Sequence, residues 1–188
     1  MAVKKITPMS LTDNTVGAGF QGIAGYIFQL GLVNQGQLER ALDYKRQLGG
    51  RIEQILVNLG VIQHDDLVEV YAGYLQLPKF EAITEENSLP LSVLEQLDIN
   101  QAVTAGALPF RLEQQQLHLA VLDPFKLDLY DLWKAEGYEV VLHVCKQSHF
   151  DALRVQLTVA QTSEKHQSHD GGSELERLRE LAFGAPTV

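Results

Sequence analysis

The sequence predicts an α/β chain (α+β in arrangement), with a helical subdomain built from a tandem repeat over 20–78 and a small mixed α/β subdomain over 79–159. Three observations predict it. The stretch Gly22 to Tyr74 repeats itself at an offset of 29 residues. Segments near 108–112, 117–122 and 138–145 carry strand-like apolar patterning. Their order with the intervening helical segments is β-α-β-α, which favours a parallel pair joined by a right-handed crossover. Around these two parts the sequence predicts a loose arm over 1–19, a linker over 160–173 and a short helix within 174–188.

In the repeat, Ile23 falls on Ile52, Ile27 on Leu56, Phe28 on Val57, Leu30 on Leu59, Gly31 on Gly60, Val33 on Ile62 and Leu38 on Leu67. Each copy reads as a short apolar helix, a Gly stop, an apolar pair and a second helix. Gly31 and Gly60 stand where a helix ends and a positive φ is needed. Asn34 is the cap of the next helix in copy one, with Gln37 in the capping-box position. Gln63 is a poorer cap in copy two, helped by Asp65 and Asp66 in the positive first turn. Gly49-Gly50 joins the copies through a turn, and Pro78 ends the last helix near Leu75.

Beyond Phe80, Glu81 to Ser88 reads as an acidic loop. Leu89-Pro90 opens a helix with Pro at its first position, and Val93, Leu94 and Leu97 form its buried stripe. Leu108 to Leu112 and Leu117 to Leu122 then read as a strand pair around a polar hairpin loop, Glu113 to Gln116. Leu117, Leu119 and Val121 alternate with His118, Ala120 and Leu122, the period of a strand with one packed face. Asp123-Pro124 stops that strand and starts a helix from Lys126 to Glu136, ended by Gly137. Tyr138 to Cys145 is the third strand, and Ser148 caps a helix to about Val159. Ser173 and Glu176 form a capping box for an amphipathic helix, Leu175 to Ala182.

Composition narrows the function classes. The chain has 188 residues, 45% hydrophobic and 21% charged, enough for an ordinary core, and a net charge of -9 that argues against nucleic acid or anionic membrane as a partner. A single cysteine, Cys145, excludes an intrachain disulfide and fits a reducing compartment. No run approaches the roughly 18 apolar residues of a spanning helix, and no signal peptide is read at the N-terminus. The expectation is a cytoplasmic chain without direct membrane insertion.

No nucleophile–base or acid–base constellation is visible, and there is no Gly-x-x-x-x-Gly-Lys-Ser/Thr phosphate loop, so this chain is read as non-enzymatic. Asp65-Asp66 and Glu85-Glu86 read as a helix start and a loop. His118, His143 and His149 fall on strands or a helix start, whereas His166 and His169 beside Asp170 would make only an open, ligand-poor metal site. No metal is expected. Cys145 reads as an inert core thiol and Trp133 as helix-to-sheet packing.

The doubled apolar-apolar-x-x-Gly pattern, its spacer Arg46 to Gly50, Leu75-Gln-Leu-Pro78, Ala107-Leu-Pro-Phe110 and Leu119-Ala-Val-Leu-Asp-Pro124 together carry a family likeness. Over about Phe20 to Val159 the chain resembles the N-terminal domain of the assembly ATPases of type II secretion and type IV pili (the GspE/PilB N-terminal, or MshEN, domain). The tail from Leu178 to Val188 is similar to the segment that enters the ATPase proper, which implies an ATPase domain in cis or trans.

The resemblance implies two roles. The first is docking onto the cytoplasmic part of an inner-membrane platform protein of the GspL type, which would hold the chain at the inner membrane. The alternative is a sensor of cyclic di-GMP gating the same motor, with no resident cofactor otherwise. The implied ligand positions are Arg51, Ile52, Leu56, Val57, Gly60, Val61 and Ile62 in copy two, and Ile27, Phe28, Gly31, Leu32 and Val33 in copy one. An Arg offers a planar fork to phosphate or guanine, a Gly admits the backbone to the ligand, and apolar pairs receive flat bases. This sequence departs from the family pattern at Glu53, Gly22 and Ala24, where Gly, Arg and Gly are usual. The apolar positions are equally what a helical core needs.

Overall fold

A computed structural model describes residues 19–82, 89–126 and 137–163. The expected arm (save Gly19), most of the acidic loop, the expected Lys126 to Glu136 helix beyond its first residue, Trp133 included, and the tail with His166, His169 and Asp170 lie outside those residues. So does the short terminal helix.

The two copies of the repeat fold alike. Copy one is α1 (Gly22–Gln29) and α2 (Gln35–Leu48); copy two is α3 (Ile52–Asn58) and α4 (Asp66–Leu75). Both short helices end on a leucine, followed by a glycine in the left-handed region: φ is 70° at Gly31 and 67° at Gly60. The closing bonds match as well, Gly31 N–H to Phe28 O and Gly60 N–H to Val57 O. Asn34 makes the full capping box with Gln37. In copy two, Asp66 Oδ2 accepts from the Gln63 N–H at 2.7 Å, the same half of the box at the same offset. The matched residues Ile27 and Leu56, Val33 and Ile62, Leu38 and Leu67, and Ala41 and Val70 are all buried. Gly49 and Gly50 both carry positive φ and turn the chain between copies.

The second half differs from the sequence expectation in four places. Pro90, expected at the first helical position, is instead the N-cap of α5 (Leu91–Gln96), so the helix starts one residue later. The helix then breaks: Leu97 is its extended C-cap, and Asp98 caps a separate helix, α6 (Ile99–Ala105), by accepting the Gln101 N–H. Gly106, at φ 74°, turns α6 directly into β1 (Ala107–Glu113). A two-residue turn, Gln114-Gln115, leads to β2 (Gln116–Val121), followed after the crossover by β3 (Glu139–Val144). The last described helix, α7, covers residues 147–163. It starts one residue before Ser148, and it passes Val159, where Gln161 Nε2 holds the end carbonyls of α5, Leu94 O at 2.6 Å and Leu97 O at 2.7 Å.

The sheet order is β1-β2-β3, with β1 antiparallel and β3 parallel to β2. Pro109 lacks an N–H and is tolerated because β1 is an edge strand with a register shift between Pro109 and Arg111. The fourth difference concerns β2, expected to pack on one face. It packs on both. Leu117, Leu119 and Val121 join Leu142, Val144 and the repeat residues Ile27, Leu38, Leu56 and Leu67 in one core. Ala120 joins Leu108, Phe110, Leu94, Phe150, Leu153 and Leu157 in another, on the opposite face. A small residue and a histidine at 120 and 118 concealed that second buried face from the alternation pattern. The architecture is therefore mixed α/β in three layers: repeat, sheet and the α5–α7 group, with the first core continuous across the boundary near residue 79.

Candidate functional site

The expected ligand positions separate into three groups. Ile27, Val33, Ile52, Leu56 and Ile62 are core side chains, none more than 5% exposed. Phe28, Leu32, Val57 and Val61 are half-buried at the repeat surface, and Gly31 and Gly60 are exposed. No side chain or backbone atom lies within 4 Å of a Cβ built on either glycine, so the space beside both is open. Leu30 and Leu59, the matched residues before them, are 42% and 37% exposed.

Arg51 stands apart from this apolar set. It is the N-cap of α3, and its fork is already occupied. One terminal nitrogen donates to Asp123 Oδ1 at 2.8 Å and the other to Asp123 Oδ2. The guanidinium lies 5.1 Å from the Phe125 ring centroid, and Phe125 donates its backbone N–H to Asp123 Oδ1 at 3.0 Å. Arg51 Nε faces Glu53 Oε1 at 3.3 Å. Sequence reasoning missed Asp123 and Phe125: a partner 72 residues away leaves no local signal.

Two carboxylates thus share one guanidinium. Burial alone would raise the Asp123 carboxyl, but the Arg51 fork, the Phe125 N–H and the charges of Arg51 and Lys126 hold it below the ordinary carboxylate range. Glu53 goes the other way. It is only 2% exposed, Oε1 has no hydrogen-bond partner, and burial pushes its carboxyl up against the opposing pull of its own backbone N–H and Arg51. Its side chain is therefore in the protein interior. Tyr71, at the edge of the cluster, has its phenol raised by burial and by both carboxylates, and accepts a 3.4 Å bond from Gln54 Nε2.

A second polar group lies on the sheet face away from the repeat. His118 Nδ1 and His143 Nε2 are 2.9 Å apart, Arg111 reaches His118 Nδ1 at 3.0 Å, and Phe110 packs on both rings. Burial, then His118 and then Arg111 lower His143 to about 4, so both rings are neutral at pH 7 and one donates to the other. Among the described residues no three or more His, Cys, Asp or Glu side chains are grouped to hold a metal ion. Cys145 is buried, with its thiol pushed up to about 12 by burial, which makes it inert. No described helix is long and apolar enough to cross a membrane.

A helical tandem repeat on a three-stranded mixed sheet is an arrangement shared with solved structures. Residues 83–164 match the family model of the MshEN domain, a match that starts after the repeat. The chain is 26% identical over 130 residues to the type IV pilus assembly ATPase PilB of Thermus thermophilus, a match covering 68% of this chain and 13% of that protein. The chain therefore spans a small part of that relative's length. Among solved structures, MshE with cdg (cyclic di-GMP) aligns at TM-score 0.58 and 19% identity, covering 73% of this chain and 99% of that one. The N-terminal domain of XpsE aligns at TM-score 0.53 and 20% identity, covering 70% and 90%. These two likenesses show the fold.

Proposed function

We propose that the chain is the non-catalytic regulatory and docking domain of a type II secretion or type IV pilus assembly ATPase, binding the cytoplasmic part of an inner-membrane platform protein of the GspL type. The observation that carries this reading is the state of Arg51. The one Arg retained from the doubled motif is held by Asp123 within the chain, so the repeat is built first as a packed scaffold. The ATPase domain, in cis or in trans, supplies catalysis, and the platform protein holds the assembly at the cytoplasmic side of the inner membrane. Co-purification with the cytoplasmic domain of the platform protein encoded beside this gene tests the proposal. Retention through size exclusion is expected; elution as two separate species at tens of micromolar removes it.

The second reading is a cyclic di-GMP sensor gating the same motor. It is supported by the alignment over nearly the whole length of the MshE structure with cdg, and by the open, matched surroundings of Gly31 and Gly60. The ligand would lie against Phe28, Leu32, Val57 and Val61, with Arg51 as its polar anchor. Calorimetric titration with cyclic di-GMP, with Arg51→Ala as control, decides it. Heat in the parent that disappears in the variant supports the sensor, and equal heat in both discards Arg51 as the anchor.

A further inference from the structure

Arg51 belongs to the repeat and Asp123 to the end of β2, so their pair fastens one half of the chain to the other. Its geometry is two-pronged, which fills the donor edge that a guanidinium presents to a phosphate or a guanine. The remaining nitrogen, Nε, is turned toward Glu53. Every nitrogen of Arg51 therefore faces a carboxylate of this same chain. The group of Arg51, Asp123 and ionised Glu53 carries one excess negative charge, and Lys126 lies near enough to act on Asp123. Such a group offers an incoming anion no open guanidinium edge until one carboxylate leaves.

Of the two carboxylates Asp123 is the less enclosed, its side chain 13% exposed against 3% for Glu53. Glu53 is enclosed in the interior, whereas Asp123 sits on the short segment Leu122 to Lys126, whose Phe125 covers the guanidinium while remaining 38% exposed. We propose that Asp123 is a resident competitor, an autoinhibitory latch that keeps Arg51 closed to anionic ligands of the phosphodiester class. A ligand reaches the fork only by displacing the Asp123 carboxylate. Displacement also releases Leu122 to Lys126 from α3, which couples occupancy of the repeat to the segment leading out of the sheet. This inference rests on the sensor reading above and names the regulation of that same Arg.

The test is a cyclic di-GMP titration of the full chain as parent, Asp123→Asn, Arg51→Ala and the double variant. Asn keeps the shape and the acceptor for the Phe125 N–H but removes the charge. Asp123→Asn is expected to bind roughly tenfold or more tightly than the parent, the size of one lost competing charge contact, and the gain must vanish in the double variant. Equal affinity of parent and Asp123→Asn overturns the latch and leaves the sensor reading standing. A silent parent with a binding Asp123→Asn supports the latch and ends the sensor reading for the native chain. Silence in both ends both. If Asp123→Asn does not fold, amide exchange of Arg51→Lys decides, because a point ammonium cannot hold the fork. Faster exchange at both 52–58 and 116–125 supports the latch, and faster exchange at 52–58 alone overturns it.

Discussion

Gly31 and Gly60 show how one residue sets the geometry of the repeat. Both hold φ near 70°, with nothing close to the position of a Cβ. Replacing either by Ala therefore adds backbone strain without a clash, a loss of about 1–2 kcal/mol each, and the two losses should match. Thermal or urea unfolding checks this. Gly73 sits in helical backbone instead, and its Cβ would collide with the Tyr26 ring, so Gly73→Ala loses stability by crowding. Histidine contributes to the acid response. His143 takes a proton at about 4 when folded and near 6.5 when unfolded. The unfolded chain thus binds more protons as pH falls from about 6.5 toward 4. Stability supplied by the neutral ring is complete above that window and lost within it. A melting-temperature profile in pH should fall through this window, and His143→Asn should flatten it. Glu53, raised by burial, has the opposite sign: ionisation costs stability as pH rises through its folded value. Glu53→Gln should accordingly raise the neutral-pH midpoint and leave the acid midpoint unchanged.

At the scale of elements, caps decide where helices stop and start. The break between α5 and α6 follows from Asp98, whose carboxylate accepts the Gln101 N–H at 3.0 Å, and from Gly106 at the far end. Both signals are present in the sequence, yet the apolar stripe of Val93, Leu94 and Leu97 reads as one helix because Leu97 stays buried outside it. Asp98→Ala should cost about 1 kcal/mol, and amide exchange should rise in 99–105 before it rises in β1. The end of α4 came out as expected near Leu75, but the left-handed residue is Gln76, which bonds its own side chain to Gly73 O. Pro78 marks that end without showing its geometry. Asn34 and Gln37 form the box their spacing implies, because a cap is a contact over three residues.

At the scale of the molecule, β2 joins the layers. Its residues alternate between the core under the repeat and the core under α7, so neither face is covered without it. Leu119 is fully buried, and Leu119→Ala should cost about 2–5 kcal/mol. The structure further predicts that exchange protection of the repeat and of α7 is lost in one transition, since both layers rest on this strand. Two separate transitions, by circular dichroism and by exchange, would contradict a shared core.

The sequence by itself determined the tandem repeat, its glycine stops, the capping box, the three strands and the parallel crossover pair. All of these depend on patterns of a few residues or on a fixed offset, which a linear chain displays. Only the tertiary structure decided that Arg51 is held by Asp123, that Glu53 is enclosed, that His118 and His143 share a hydrogen bond, and that β2 is covered on both faces. Those are contacts between distant segments, and their energies arise from burial and charge pairing that no local spacing encodes.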